Sequence, residues 1–205
     1  MTVLSQICFQ CSEGRKNHIH RCVRKGFDLR RYTKKVLDKL LDQTSVTHLF
    51  PITKFIGLLL TGMIADAMSL VQHACNKAAE FRFKWGYEMP TDVLARKLAD
   101  KSQVYTQYAY MRPLGVAAIV LGIDEESGPQ LFKCDPAGHF VGCKATTTGV
   151  NESEAVSFLE KKLKNNPELS YEETVLKAVS TLQSVLQEDF KATEVEFIIL
   201  VQRRQ

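Results

Sequence analysis

The sequence predicts an α+β fold, a layered sandwich of mixed type, on three observations. Two short apolar runs, Phe55–Leu60 and Val116–Ile123, are uninterrupted and bounded by turn residues, as buried strands are. Helical periodicity arrives in consecutive pairs, not singly between strands, which argues against a doubly wound parallel sheet. Turn signals between Asp124 and Gly138 lie close together, as in antiparallel hairpins.

Each element has its own signature. Val36, Leu37, Leu40 and Leu41 follow charged residues, and Val46 and Leu49-Phe50 lead into Pro51. Phe55–Leu60 is the first buried strand, ending at Thr61-Gly62. Ala65, Met68, Val71, Ala74, Cys75, Ala78 and Ala79 then recur at spacings of three and four, which predicts a long helix. Asp66 in its first turn suits the helix dipole, and Gly86–Pro90 breaks it. Thr91 is the N-cap candidate for a second helix through Val93, Leu94, Leu98 and Val104. Arg112-Pro113-Leu114-Gly115 is a turn, and Val116–Ile123 the second buried strand. Asp124–Pro129 reads as a hairpin connection. Leu131–Cys134 and Phe140–Cys143 flank the turn at Asp135-Pro136-Ala137-Gly138. Asn151 or Ser153 caps a third helix closed by Pro167, and Ser170-Tyr171-Glu172-Glu173 is a capping box opening a fourth. Val195–Val201 reads as a final strand.

With 205 residues and 45% hydrophobic content the chain can bury one sizeable core, and two full domains are not expected. No run approaches the roughly 20 apolar residues of a membrane helix, and MTVLSQICFQ lacks a basic region followed by an apolar block, so neither secretion nor a membrane span is expected. The net charge of +4 is uneven. Residues 1–35 hold nine basic and two acidic residues, a charge of +7, while the rest holds 18 basic and 21 acidic, a charge of −3. Such an arm is read as a solvated basic tail, with nucleic-acid contact the less favoured alternative. Cys8, Cys11 and Cys22 lie in the arm and Cys75, Cys134 and Cys143 in the body; without a leader they read as reduced thiols.

No Gly-rich phosphate loop, His-Glu-x-x-His or Gly-x-Ser-x-Gly is present. The arm holds one metal-like pattern, Cys8-x2-Cys11-x6-His18-x-His20-x-Cys22, whose thiolate and imidazole types suit zinc. Its Cys-Cys-His-Cys order is similar to a zinc knuckle but its spacing is not, and unpaired side chains in a flexible tail are the plainer reading. His73 and His139 are read as surface residues, and no cofactor is expected.

Several further stretches carry a family resemblance. They are Tyr105-Thr106-Gln107, Arg112-Pro113-Leu114-Gly115 and GIDEESGPQLFKCDPAGHFVGCKATTTG (Gly122–Gly149). Upstream stand TKKVLDKLLD (Thr33–Asp42), HLFPIT (His48–Thr53) and TGMIADA (Thr61–Ala67); downstream, SFLEKKLK and LQEDFKATEVE. Together, in fixed order across residues 33–196, they resemble α-type subunits of the 20S proteasome, in detail the α type-6 (iota) kind.

The resemblance implies a four-layer αββα sandwich of the N-terminal nucleophile hydrolase type and a place in the outer ring of the barrel. It implies neighbouring α-type and β-type subunits as partners, regulatory-particle tails as further ones, and location in cytoplasm and nucleus. Catalytic members use an N-terminal threonine, freed by cleavage after glycine, whose amine acts as base. This sequence has no Gly-Thr dipeptide, and Thr61, Thr91 and Thr146–Thr148 are internal, so a non-catalytic, structural role is expected. The position matching the regulator-pocket lysine is His48, which either receives a carboxylate weakly or simply caps local packing. The resemblance places the helix opened at Asp66 at the ring interface, with Ala67, Val71, Ala74 and Ala78 as its close-packing face.

The ends depart from the pattern. Residues 1–32 form an atypical basic arm where the family has its gate segment, first helix and first strands, so those strands are missing or replaced. The domain spans 33–196, and 197–205 is a divergent, truncated end. The alternative readings are a divergent or defective paralogue, and a binding module whose arm takes zinc or nucleic acid.

Overall fold

A computed structural model describes residues 6–9, 47–124, 126–149 and 152–165, with isolated helical positions at 176, 180–181 and 183–184. The described elements are β1 (Gln6–Phe9), β2 (Leu49–Pro51), β3 (Ile56–Gly62), α1 (Ile64–Trp85), α2 (Thr91–Gln107), β4 (Val116–Asp124), β5 (Gly128–Cys134), β6 (Phe140–Gly142), β7 (Ala145–Thr148) and α3 (Glu152–Asn165).

Residues 48–144 form one unit. Its sheet runs β2-β3-β4-β5-β6 with every pair antiparallel. Alternation along the strands sorts the side chains. Ile56, Leu58 and Leu60 on β3, Val116, Ala118 and Val120 on β4 and Cys134 on β5 share a face with the helices. Leu59 and Ile119, paired across β3 and β4, point the other way and are buried too. The sheet thus carries buried apolar side chains on both faces, which is why its two central strands read as unbroken apolar runs.

The helices form an antiparallel hairpin on the first face. α1 stops at Gly86, which takes φ +79° and returns its N–H to the Arg82 carbonyl at 2.9 Å, a left-handed cap open to glycine at no steric cost. α2 starts one residue earlier than a Thr91 N-cap would place it. Pro90 is the N-cap, and Thr91 is the first helical residue. Its N–H and hydroxyl both donate to Asp124 Oδ1, at 3.1 and 3.0 Å. The end of β4 thus supplies the anion that the helix N-terminus favours. Thr91 is fully buried, and Gly122 makes room for it: a Cβ there would strike the Thr91 side chain.

Leu70, Ala74 and Ala78 of α1 and Leu94, Ala95 and Leu98 of α2 complete this core. Cys134 lies within it, its Sγ 3.7 Å from the Ala95 carbonyl. Burial pushes that thiol up to about 12. Cys75, Cys134 and Cys143 are free thiols, and Cys75 and Cys143 are half-exposed.

The second unit comprises 1–47 and 145–205. Here β1 pairs antiparallel with β7, Gln6 opposite Thr148 and Phe9 opposite Ala145. The basic arm, read from the sequence as poorly ordered or as a separate small element, contains a strand at 6–9. Helix α3 packs against β7, with Ala155 and Leu159 buried and the Thr147 hydroxyl donating to the Glu152 carbonyl at 3.4 Å. Most of the fourth helix and all of the final strand expected at Val195–Val201 lie outside the described residues. No described helix is long and apolar enough to cross a membrane.

Gly122→Ala is expected to destabilise the chain by about 1–3 kcal/mol, the usual cost of overpacking a filled core. Urea unfolding of the Gly122→Ala and Thr91→Ala single and double variants checks this. The double variant should recover part of the sum, because removing the Thr91 side chain vacates the space the new methyl needs.

Candidate functional site

The chemistry-bearing residues of the described structure gather around α1 and the segments that position it. The chain leaves β3 at Gly62, and the Met63 N–H donates to the Gly115 carbonyl at 2.9 Å. One turn later Asp66 points back at the same segment. Its Oδ2 accepts from Arg112 Nη1 at 2.6 Å and from the Gly115 N–H at 3.0 Å, and its Oδ1 accepts from Arg112 Nη2 at 2.8 Å. Both carboxylate oxygens are thus engaged by a planar guanidinium, the strong bidentate arrangement. The Arg112 hydrogen bonds, then that of Gly115, hold the Asp66 carboxyl at about 2, below its ordinary 3.8. Asp66 is buried and Arg112 exposed, so the pair is fixed on one side and wet on the other.

The four residues expected on a ring-facing surface lie elsewhere. Ala67, Ala74 and Ala78 are buried against the chain's own sheet, and Val71 is packed on the same cluster. The physical reason is periodicity. Spacings of four, three and four mark one face of a helix, and α1 turns that face, with Leu70, onto β3 and β4. The outward apolar groups are larger. Met63, Ile64 and Met68 stand exposed at the start of α1, and Tyr108 and Tyr110, rings 5.5 Å apart, follow α2. Phe83 is 95% exposed and Trp85 is also exposed at the other end of α1. Met68 belongs to the apolar spacing read from the sequence yet is exposed; no sequence pattern marked the others, because isolated exposed apolar residues fall off the periodic stripe.

His48 precedes β2 and is half-buried. Its Nδ1 lies 3.2 Å from the Leu60 carbonyl, while its own carbonyl accepts from the Leu60 N–H at 3.0 Å. The ring thus lies against the β2–β3 pair. Of the arm's candidate ligands, Cys8 sits in β1 opposite Thr146, and Cys11, His18 and Cys22 lie outside the described residues. His139 is exposed in its turn, but His73 is half-buried on α1, not on the open surface. Desolvation first, then the charges of Lys101 and Lys77, hold His73 below its ordinary value.

The threonines are set in the interior of the chain and of the fold. Thr146, Thr147 and Thr148 are buried in β7. The Thr61 hydroxyl donates to the Ala117 carbonyl at 3.4 Å, and Thr91 is held by Asp124. None has a free amine to serve as base.

A family profile described as Proteasome subunit matches residues 32–200. The chain belongs to the proteasome subunit family. Its α+β fold is of the N-terminal nucleophile hydrolase type that the family shares. A probable proteasome subunit alpha type-1 of Schizosaccharomyces pombe is 50% identical over 164 residues, covering 80% of this chain and 67% of the relative. A proteasome subunit alpha type-6 of Caenorhabditis elegans is 39% identical over 167 residues, 82% of this chain and 68% of the relative. A proteasome subunit alpha of the archaeon Methanopyrus kandleri is 32% identical over 167 residues, 82% of this chain and 67% of the relative. Two stretches that carry the proteasome resemblance, Thr61–Ala67 and Arg112–Gly115, are the two that Asp66 joins.

The pair fixes a pH dependence. The Asp66 carboxyl titrates lower in the folded than in the unfolded chain, so its contribution is fully present above about pH 4 and is lost as pH falls through about 2. Asp66→Asn is expected to lower the thermal midpoint by several degrees near neutrality. The difference from the unaltered chain should shrink steadily between pH 4 and pH 2 in a melting series.

Proposed function

We propose that the chain is a non-catalytic, structural α-ring subunit of the 20S proteasome core. It would work in ubiquitin-dependent and other intracellular protein catabolism, in cytoplasm and nucleus. The observation that carries the reading is the extended match to proteasome α subunits in a chain without a Gly-Thr junction. A subunit that supplies no nucleophile contributes shape, and its partners are neighbouring α-type and β-type subunits.

The geometry supports such a role in two ways. The Asp66–Arg112 pair and the Met63–Gly115 bond hold the start of α1 rigidly on the sheet, and a rigid surface loses little entropy on docking. The exposed Met63, Ile64, Met68, Phe83 and Trp85 supply apolar groups of the kind that interfaces bury. Co-expression with neighbouring proteasome α and β subunits, followed by a native gel, tests the reading. The chain should migrate within a double ring; its recovery only as free chain overturns the proposal.

The regulator pocket would be a weak one on this subunit. Its imidazole replaces an ammonium and is engaged at the Leu60 carbonyl. His48→Lys is expected to tighten binding of a peptide with a free terminal carboxylate by about tenfold, the scale of one charge-assisted contact. Fluorescence anisotropy on assembled rings, with the amidated peptide as control, checks it.

A further inference from the structure

The sheet of residues 48–144 has two edge strands, and they are not alike. β2 includes Pro51, a residue that cannot donate to a further strand. β6, Phe140–Gly142, has neither a proline nor a charge, and its one safeguard is its length of three residues. Hydrogen bonds alternate in direction along an antiparallel pair. The Asp135 N–H donates to the His139 carbonyl and the Cys143 N–H to the Leu131 carbonyl, both at 2.8 Å. With Lys133 in register opposite Val141, those bonds turn the backbone groups of His139, Val141 and Cys143 towards β5. The N–H and carbonyl of Phe140 and of Gly142 therefore point away from the sheet, and among the described residues nothing pairs with them.

The side chains leave that edge open as well. Val141 is 47% exposed and Gly142 is exposed, so the backbone of another chain can approach. The strand is held from behind. The Phe140 and Phe132 rings lie 6.2 Å apart, and Arg96 of α2 stands 6.0 Å over the Phe140 ring. The turn before β6 rests on α2, where a Cβ on Gly138 would strike Gln103. An edge held in place loses little freedom when a strand is added. The charges beside it are mostly of one sign. Lys144 follows the strand closely, Lys133 stands opposite Val141 and Arg96 covers Phe140, while the turn holds a single carboxylate, Asp135.

We propose that the β6 edge is a docking site for an extended acidic segment of a partner protein, which adds one strand to the five-stranded sheet. The four outward backbone groups of Phe140 and Gly142 exchange hydrogen bonds with two residues of that segment. The residue between those two lies opposite Val141, at a position where side chains come closest, so a β-branched apolar side chain fits there. Carboxylates on either side of it meet Lys144 and Arg96. Charge also decides against a second copy of this chain, because pairing β6 with itself doubles the positive charge along the joint and offsets none of it. The site stands on these residues alone and does not depend on ring membership.

The test uses the full chain at about 50 mM salt, where surface charges are weakly screened. The probe is a fluorescein-labelled heptapeptide, Glu-Glu-Thr-Val-Thr-Glu-Glu, blocked at both ends and followed by fluorescence anisotropy. Two relatives of it are compared. One has lysine for each glutamate, and the other is N-methylated at both threonines, which removes the donors the edge needs and keeps the charge. The unmodified peptide should bind, and each relative should bind at least about tenfold more weakly. Gly142→Pro removes an outward N–H that no bond within the chain uses, and it should also weaken binding about tenfold. A melting curve establishes that this variant is folded, and the N-methylated peptide makes the same test with the chain unaltered. Lys144→Glu should weaken binding of the glutamate peptide and strengthen binding of the lysine peptide. Lys54→Glu, between β2 and β3 on the far side of the sheet, should leave the affinity within about twofold. Equal binding of the unmodified and N-methylated peptides, unchanged affinity in folded Gly142→Pro or in Lys144→Glu, or a dimer of the chain that Gly142→Pro dissolves would overturn the proposal.

Discussion

The Asp66 carboxylate is the constraint on which the described unit depends. It is buried at the first turn of α1, yet it is bound by a side chain and a backbone N–H that lie 46 and 49 positions further on. Through it the end of β3, the start of α1 and the start of β4 are one fixed corner. Two facts make the corner hold. The guanidinium meets both oxygens, so rotation of either side chain breaks two bonds. The Gly115 carbonyl and N–H are both used, by Met63 and by Asp66, so the backbone of the turn cannot swing away. The angle at which α1 lies on the sheet follows from that corner, and with it the direction in which every exposed residue of α1 points.

Much of the fold was legible in the sequence because its central strands are buried on both faces. Phe55–Leu60 and Val116–Ile123 read as strands for the same reason that Leu59 and Ile119 are buried opposite the helices. The paired helices were legible from their apolar spacing, and α1 stops at the glycine expected to break it. What escaped was short or lay at an edge. β2 has three residues and includes a proline, which cannot donate to a ladder. β7 is Ala-Thr-Thr-Thr, with too little apolar character to stand out, and β1 sits within a charge-rich arm. Thr91 was legible as a helix-start residue but not as a donor to Asp124, since that partner belongs to a strand 33 positions away.

The candidate site was less legible, and for a physical reason. Local pattern marks which face of a helix is apolar, but not whether that face meets the chain's own sheet or a neighbour. Ala67, Val71, Ala74 and Ala78 illustrate this: small residues allow close approach, and here the close approach is internal. Asp66 was visible only as a charge suited to a helix dipole. Its partner became visible through long-range geometry, although both partners sit in stretches that carry the proteasome resemblance.

The three described sulfhydryls of the body also form a graded set. Cys134 is enclosed against α2 and keeps its proton far into alkaline solution, whereas Cys75 and Cys143 are half-open to solvent. Since only the deprotonated sulfur attacks electrophiles, an alkylating reagent can mark the outer two while the interior one is spared. Modification at Cys134 therefore records that the helical hairpin has lifted from its sheet, and the chain carries its own chemical witness of whether that layer is closed.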